Sequence, residues 1–178
     1  MAGLILASLL AAGAAVPVPV TPPRPAPALQ ELSPLLGAWQ CSGTQRLSPA
    51  EKPSPVAGLW SFARDLDGFW IAVQQDQERS DTNPHPARAK GTVGYSAAQQ
   101  RFVLLLATND GLSEQESSAG WDGPKLVFYG QLRDGDDTVN FRRAFEVRGG
   151  ALKVTLELEL TDKEWTQVSE ERCSAVGH

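Results

Sequence analysis

The sequence predicts an all-β protein, an antiparallel up-and-down barrel of about 8–10 strands preceded by a short N-terminal helical turn. Three observations carry this. From residue 36 onward, apolar and polar residues alternate in short segments instead of recurring at helical spacing. Compact turn sequences separate the segments, among them Asp67-Gly68, Asp122-Gly123-Pro124, Asp134-Gly135-Asp136 and Gly149-Gly150, and these suit hairpins between antiparallel neighbours. Strands with one wet and one dry face, joined in order, must hide their dry faces, and curling into a barrel does so while removing exposed edges.

A chain of 178 residues suits one domain plus a leader. Residues 1–15 are small and apolar and end in Gly13-Ala14-Ala15, the pattern of a secretory signal peptide and its cleavage site. The stretch is short for a membrane span, and the mature chain is expected to have none. No Lys or Arg precedes Leu4, and the alternative is a disordered or partly buried apolar N-terminus. Residues 16–30 are a proline-rich linker, in which repeated prolines fix φ and remove donors; a spacer is the simple reading and a ligand for a proline-binding groove the other. The domain is placed at 31–178. Within 28–35, Leu29, Leu32 and Leu35 or Leu36 mark a turn of helix limited by Pro34, read as a plug for one end.

The strands are placed at 36–46, 57–65, 68–78, 89–97, 101–109, 115–121, 125–133, 137–147, 151–161 and 164–174. The most regular holds Leu152, Val154, Leu156, Leu158 and Leu160 on one face and only polar residues on the other, which fixes its register. The strand before it aligns Val139, Phe141, Arg143, Phe145 and Val147. In the last strand, Trp165, Gln167, Ser169, Glu171 and Cys173 share a phase.

Cys41 and Cys173 are the two cysteines, and in an exported chain they are read as one disulfide, with two unrelated buried thiols as the alternative. Barrel closure places the first strand beside the last, the arrangement a bridge needs. The net charge of −5 argues against nucleic acid as a partner. No Ser/His/Asp or Cys/His arrangement is suggested, and the protein is read as a non-enzyme without metal or cofactor. Asp134-Gly135-Asp136-Asp137 lacks the spaced ligands of a calcium loop and is read as a hairpin turn.

Leu35-Leu36-Gly37-Ala38-Trp39 with Gly43 resembles the Gly-x-Trp opening of lipocalins and the wider calycin group. With Gly91-Thr92-Val93-Gly94-Tyr95 and Arg172, the sequence looks most like the bacterial lipocalin-like domains of unknown function of the DUF1579 type, over roughly residues 31–176. The resemblance implies structural roles for Gly37, Trp39 and Arg172. In lipocalins the first-strand tryptophan closes one end of the barrel beneath an arginine of the last strand, which carries over here as a cation–π contact between Trp39 and Arg172. The nitrobindin-like heme barrels share the Gly-x-Trp opening and set a histidine against iron. Here His85 lies in a loop between two prolines and His178 is terminal, neither on a strand facing a pocket, so no heme is expected.

The candidate ligand-binding residues are Arg143, Trp60, Phe62, Tyr95, Phe128, Phe141, Phe145 and Glu171, with Phe69 and Trp70 as further aromatics. Arg143 interrupts a dry face, so it must meet a carboxylate, ordered water or an anionic head group, and Glu171 is the candidate partner. An outward bulge, or an ion pair that only fixes register, is the other reading. Residues 77–88 form a long polar loop, either a rim or lid or a plain connector. The expected function is binding of a small apolar or amphipathic ligand by an exported barrel, secreted or periplasmic; the alternative is a filled barrel serving as a structural or protein-interaction module.

Overall fold

The computed structural model describes residues 22–46, 48, 50–134, 137–160 and 163–177. The leader assigned to 1–15 and the first residues of the linker lie outside them, as do residues 135 and 136 of the acidic hairpin.

Among the described residues a 3₁₀ helix (Pro27–Leu35) precedes eleven strands. They are β1 (Gly37–Gln45), β2 (Ser54–Asp65), β3 (Trp70–Gln77), β4 (Arg88–Ser96), β5 (Arg101–Thr108), β6 (Ser113–Ser118), β7 (Trp121–Asp122), β8 (Lys125–Asp134), β9 (Asp137–Arg148), β10 (Ala151–Glu159) and β11 (Trp165–Ala175). Ten of them close an antiparallel barrel: β1 to β6 pair in sequence, β6 meets β8, β8 to β11 follow in order, and β11 returns to β1. The two-residue β7 pairs only with β8, Trp121 opposite Leu126. At Gly149-Gly150, between β9 and β10, both residues have positive φ, +57° and +79°, as a two-residue hairpin of the right twist demands.

The β1–β11 junction sets Cys41 opposite Cys173, and the two form a disulfide with Cα atoms 4.0 Å apart. The helix seals the adjoining end. Leu29, Leu32 and Leu35 recur every third residue, which lines them up on one side of a helix with three residues per turn, and all three are buried. Two indoles hold the helix in place: Trp39 Nε1 donates to the Leu35 carbonyl at 2.8 Å and Trp121 Nε1 to the Glu31 carbonyl at 2.8 Å. The plug therefore begins at Pro27, so residues 27–30 of the stretch assigned to the linker belong to it.

Two expectations fail on parity. Ser42 pairs with Arg172, and both sit one residue out of phase with the inward-facing Cys41 and Cys173. Arg172 therefore points outward, 77% exposed and paired with Glu170, and Trp39 packs in the core without it. The shared phase of β11 is also broken. A register shift leaves Leu156 opposite Ser169 but Glu157 opposite Gln167, so Val168 is an extra residue. Beyond that bulge Trp165 faces outward, with the Arg142 guanidinium 4.5 Å from its ring centroid and Tyr129 edge-on at 6.2 Å.

Candidate functional site: a polar cavity at the open end

The barrel interior is layered along its axis. Next to the plug, Phe62, Phe128 and Phe145 fill the space: Phe145 stands edge-on to Trp60, Phe62 and Phe128 at centroid distances of 5.7, 5.6 and 6.1 Å. Tyr95 packs edge-on against Phe102 at 5.3 Å on the far wall. Phe141 lies across Gly130, where a Cβ would fall 2.6 Å from its ring. These five candidates are packing residues, and none of them lines the internal cavity. Trp70 is on the outer face, its ring over Gly94.

Above Trp60 the packing stops and a cavity of about 530 Å³ opens. Trp60, Val154, Leu156 and Ala89 supply apolar wall, and Gln45, Gln75, Gln77, Glu114, Arg143 and Glu171 supply polar groups. Of the residues proposed from sequence, Trp60, Arg143 and Glu171 come together here. The strand phase explains it: each sits on an inward position, and each is too polar or too large to be mistaken for filler once the aromatic layer below is complete.

Arg143 does not pair with Glu171. Its Nη2 lies 2.5 Å from Glu114 Oε2 and its Nε 3.0 Å from Glu116 Oε1, and its Cζ lies 5.9 Å from the Trp60 centroid. Both glutamates come from β6, whose alternation places Glu114, Glu116 and Ser118 inward. Glu171 instead accepts Trp60 Nε1 at 3.3 Å and Gln75 Nε2 at 3.1 Å. Glu116 Oε2 is buried without a hydrogen-bond partner among the described residues.

The cluster holds three carboxyls and one guanidinium in a volume largely withdrawn from water. Burial raises the Glu116 carboxyl above its ordinary range, Arg143 works against that, and neighbouring Glu114 adds to the rise. Burial likewise raises Glu171, offset in part by the Trp60 hydrogen bond and by Arg143. Burial disfavours the Arg143 charge, but Glu116 and Glu114 overcome it and hold the guanidinium above its usual value.

The rim is built from the long loop before β4 and the turn before β6. Gln77, itself buried, pins the loop: its Oε1 accepts from Asn83 Nδ2 at 3.2 Å and from the Ala87 amide at 3.1 Å, while its Nε2 donates to Gln45 Oε1 at 2.8 Å. His85, Asn109, Asp110 and Leu112 border the mouth. His85 thus faces a cavity after all, from an exposed position on its edge rather than from a strand. Glu114, Glu116, Gln75 and Gln77 were not among the residues proposed from sequence. Ser113-Glu114-Gln115-Glu116-Ser117-Ser118 has no aliphatic alternation to reveal its inner face, and the one available signal was the need of an inward Arg143 for carboxylate partners.

An antiparallel barrel plugged at one end and hollow at the other places the protein in the class of small closed β-barrels with an internal cavity. The chain belongs to the family described as Protein of unknown function (DUF1579), which matches residues 24–172. Among solved structures, the crystal structure of Rv2717c from M. tuberculosis is similar with a TM-score of 0.66 and 21% identity, over 86% of this chain and 100% of that one. At that identity the likeness speaks for the fold alone. No curated protein matches the chain.

Proposed function

We propose that this protein is an exported binding barrel that holds one small amphipathic molecule in the cavity above Trp60. The observation that carries the reading is the cavity itself. Its volume of about 530 Å³ falls in the range of small-molecule sites, roughly 300–1,000 Å³. It also joins apolar wall to a few convergent polar groups, with Trp60, Val154 and Leu156 positioned for an apolar tail and Glu171, Glu114 and Gln75 for a polar end. The Cys41–Cys173 disulfide supports an oxidising compartment outside the cytoplasm. We read the role as binding rather than catalysis, because Arg143 is committed to Glu114 and Glu116 and Glu171 is held by Trp60 and Gln75.

A filled interaction module has less in its favour. Of the exposed large apolar residues, Leu112 and Tyr129 border one outer groove, whereas Leu66, Leu105 and Val176 lie on other elements.

Native mass spectrometry of the protein purified from its own host tests the reading. A bound species of low mass is expected, and it should be lost in Ala89→Phe, which extends a ring from the cavity wall into the space. A clean unliganded mass across several growth conditions would sink the proposal.

A further inference from the structure

We propose that the head group this cavity accepts is a cation, an ammonium or similar group on an apolar tail, held by Glu171 and Glu114 beside the Trp60 ring. The inference rests on the binding reading above and names the class of ligand.

Charge balance is the first argument. Glu114, Glu116 and Glu171 face one guanidinium, and Arg143 already spends its two contacts on Glu114 and Glu116. An anionic head would meet buried carboxyls whose one interior guanidinium is already committed to Glu114 and Glu116. At the mouth stand the exposed Arg88, His85 and Asp110, cationic and anionic side chains together, so the balance argued here is that of the interior behind them.

Hydrogen-bonding capacity is the second. Glu171 is 3% exposed, yet the donors that reach it from Trp60 and Gln75 are neutral. Each carboxylate oxygen can accept more than one donor, and an ammonium offers three and accepts none. The third argument is placement. Trp60 lines the cavity with Glu171 bonded to its indole N–H at the ring edge, while the ring already has the Arg143 guanidinium 5.9 Å from its centroid and Phe62 stacked on it, so the ring serves as apolar wall for the tail of a cation held by the carboxylate.

The shifted carboxyls agree with this arrangement. Glu171 lies above its ordinary range because burial penalises its charge, and an entering cation would favour the charged form. Binding should then release a proton, and affinity for a permanent or protonated cation should rise with pH as Glu171 ionises. An anion would show the opposite trend.

Three probes with one tail decide the matter: decylammonium, decanol and decanoate, titrated into the full chain by calorimetry. Decylammonium should bind at least about tenfold more tightly than decanol, with decanoate weakest, a tenfold step being about 1.4 kcal/mol. Its affinity should increase as pH rises through the Glu171 titration, which burial places above the ordinary carboxyl range. In Glu171→Gln the ratio of decylammonium to decanol affinity should fall about tenfold, and should that variant not fold, the three probes on the native chain still decide. Decanol or decanoate binding as tightly as decylammonium would overturn the cationic assignment and leave cavity binding standing. If none of the three binds, or if binding is unchanged in Ala89→Phe, the cavity reading and the cationic assignment fall together.

Discussion

Arg143 shows how a single residue sets the character of the interior. Its side chain is 7% exposed, and its partners Glu116 and Glu114 are 0% and 12% exposed, so the three ions share an environment in which an unpaired charge is costly. Removing the guanidinium would strand two carboxylates beside Phe128, which lies opposite Arg143 in the ladder. Arg143→Leu is therefore expected to cost about 3–5 kcal/mol at neutral pH by urea denaturation. The pH dependence has a definite sign. Glu116 already sits above its ordinary value in the folded state, and losing Arg143 raises it further, so the variant's folded form binds more protons than its unfolded form. Its stability is then highest below the unfolded carboxyl value and falls as pH rises through the folded one. The deficit against the native protein should shrink in acid. A loss that stayed constant with pH would show that the guanidinium is not balancing those carboxylates.

At the scale of elements, the wall of the barrel is uneven. The β1–β11 junction carries seven register pairs, from Trp39 with Ala175 to Gln45 with Ser169, whereas β6 meets β8 only through Glu116–Gly130 and Ser117–Tyr129. Gly130 is required there, since a Cβ would come within 3.0 Å of Glu116 Cγ as well as against Phe141. Amide protons of β6 are expected to exchange faster than those of β10, which is laddered along its length on both sides, and hydrogen-exchange mass spectrometry can compare the two segments. Equal protection would mean that the seam opens only with the whole barrel. The same contrast explains what could be read from the sequence. Leu152, Val154, Phe141 and Phe145 announced their faces because aliphatic and aromatic residues alternate strictly with polar ones. β6 carries no such pattern, so its sequence does not mark Glu114 and Glu116 as inward, and it is they rather than Glu171 that pair with Arg143. The bulge at Val168 breaks the period of two, which is why Trp165 does not keep the phase it shares in sequence with Glu171 and Cys173. The role the resemblance implies for Arg172 fails because its register with Ser42 turns it outward. How far the aromatic rings fill the barrel depends on axial position along tilted strands, information that local periodicity does not contain.

For the molecule as a whole, ten strands rather than the eight of a small lipocalin-like barrel give a wider interior, enough to fill one half with rings and leave the other hollow. The plug, Trp39 and the disulfide gather at the filled half, while the cavity, its carboxyls and the loop pinned by Gln77 occupy the other. The clasp at one end and the proposed binding cavity at the other are thus separated along the axis, and the disulfide offers a way to test the separation. It joins positions 132 residues apart, and restricting so long a loop in the unfolded chain is worth up to about 5 kcal/mol. The β1–β11 ladder that brackets it is complete on its own, so the bridge is not needed to hold the barrel closed. The double variant Cys41→Ala/Cys173→Ala is expected to fold, to lose about 2–5 kcal/mol in equilibrium denaturation, and to keep the affinity of the native protein for a cavity probe such as decylammonium. A large drop in affinity at unchanged secondary structure would mean that the clasp at the closed end governs the shape of the open one, and that the two halves are mechanically coupled through β1 and β11.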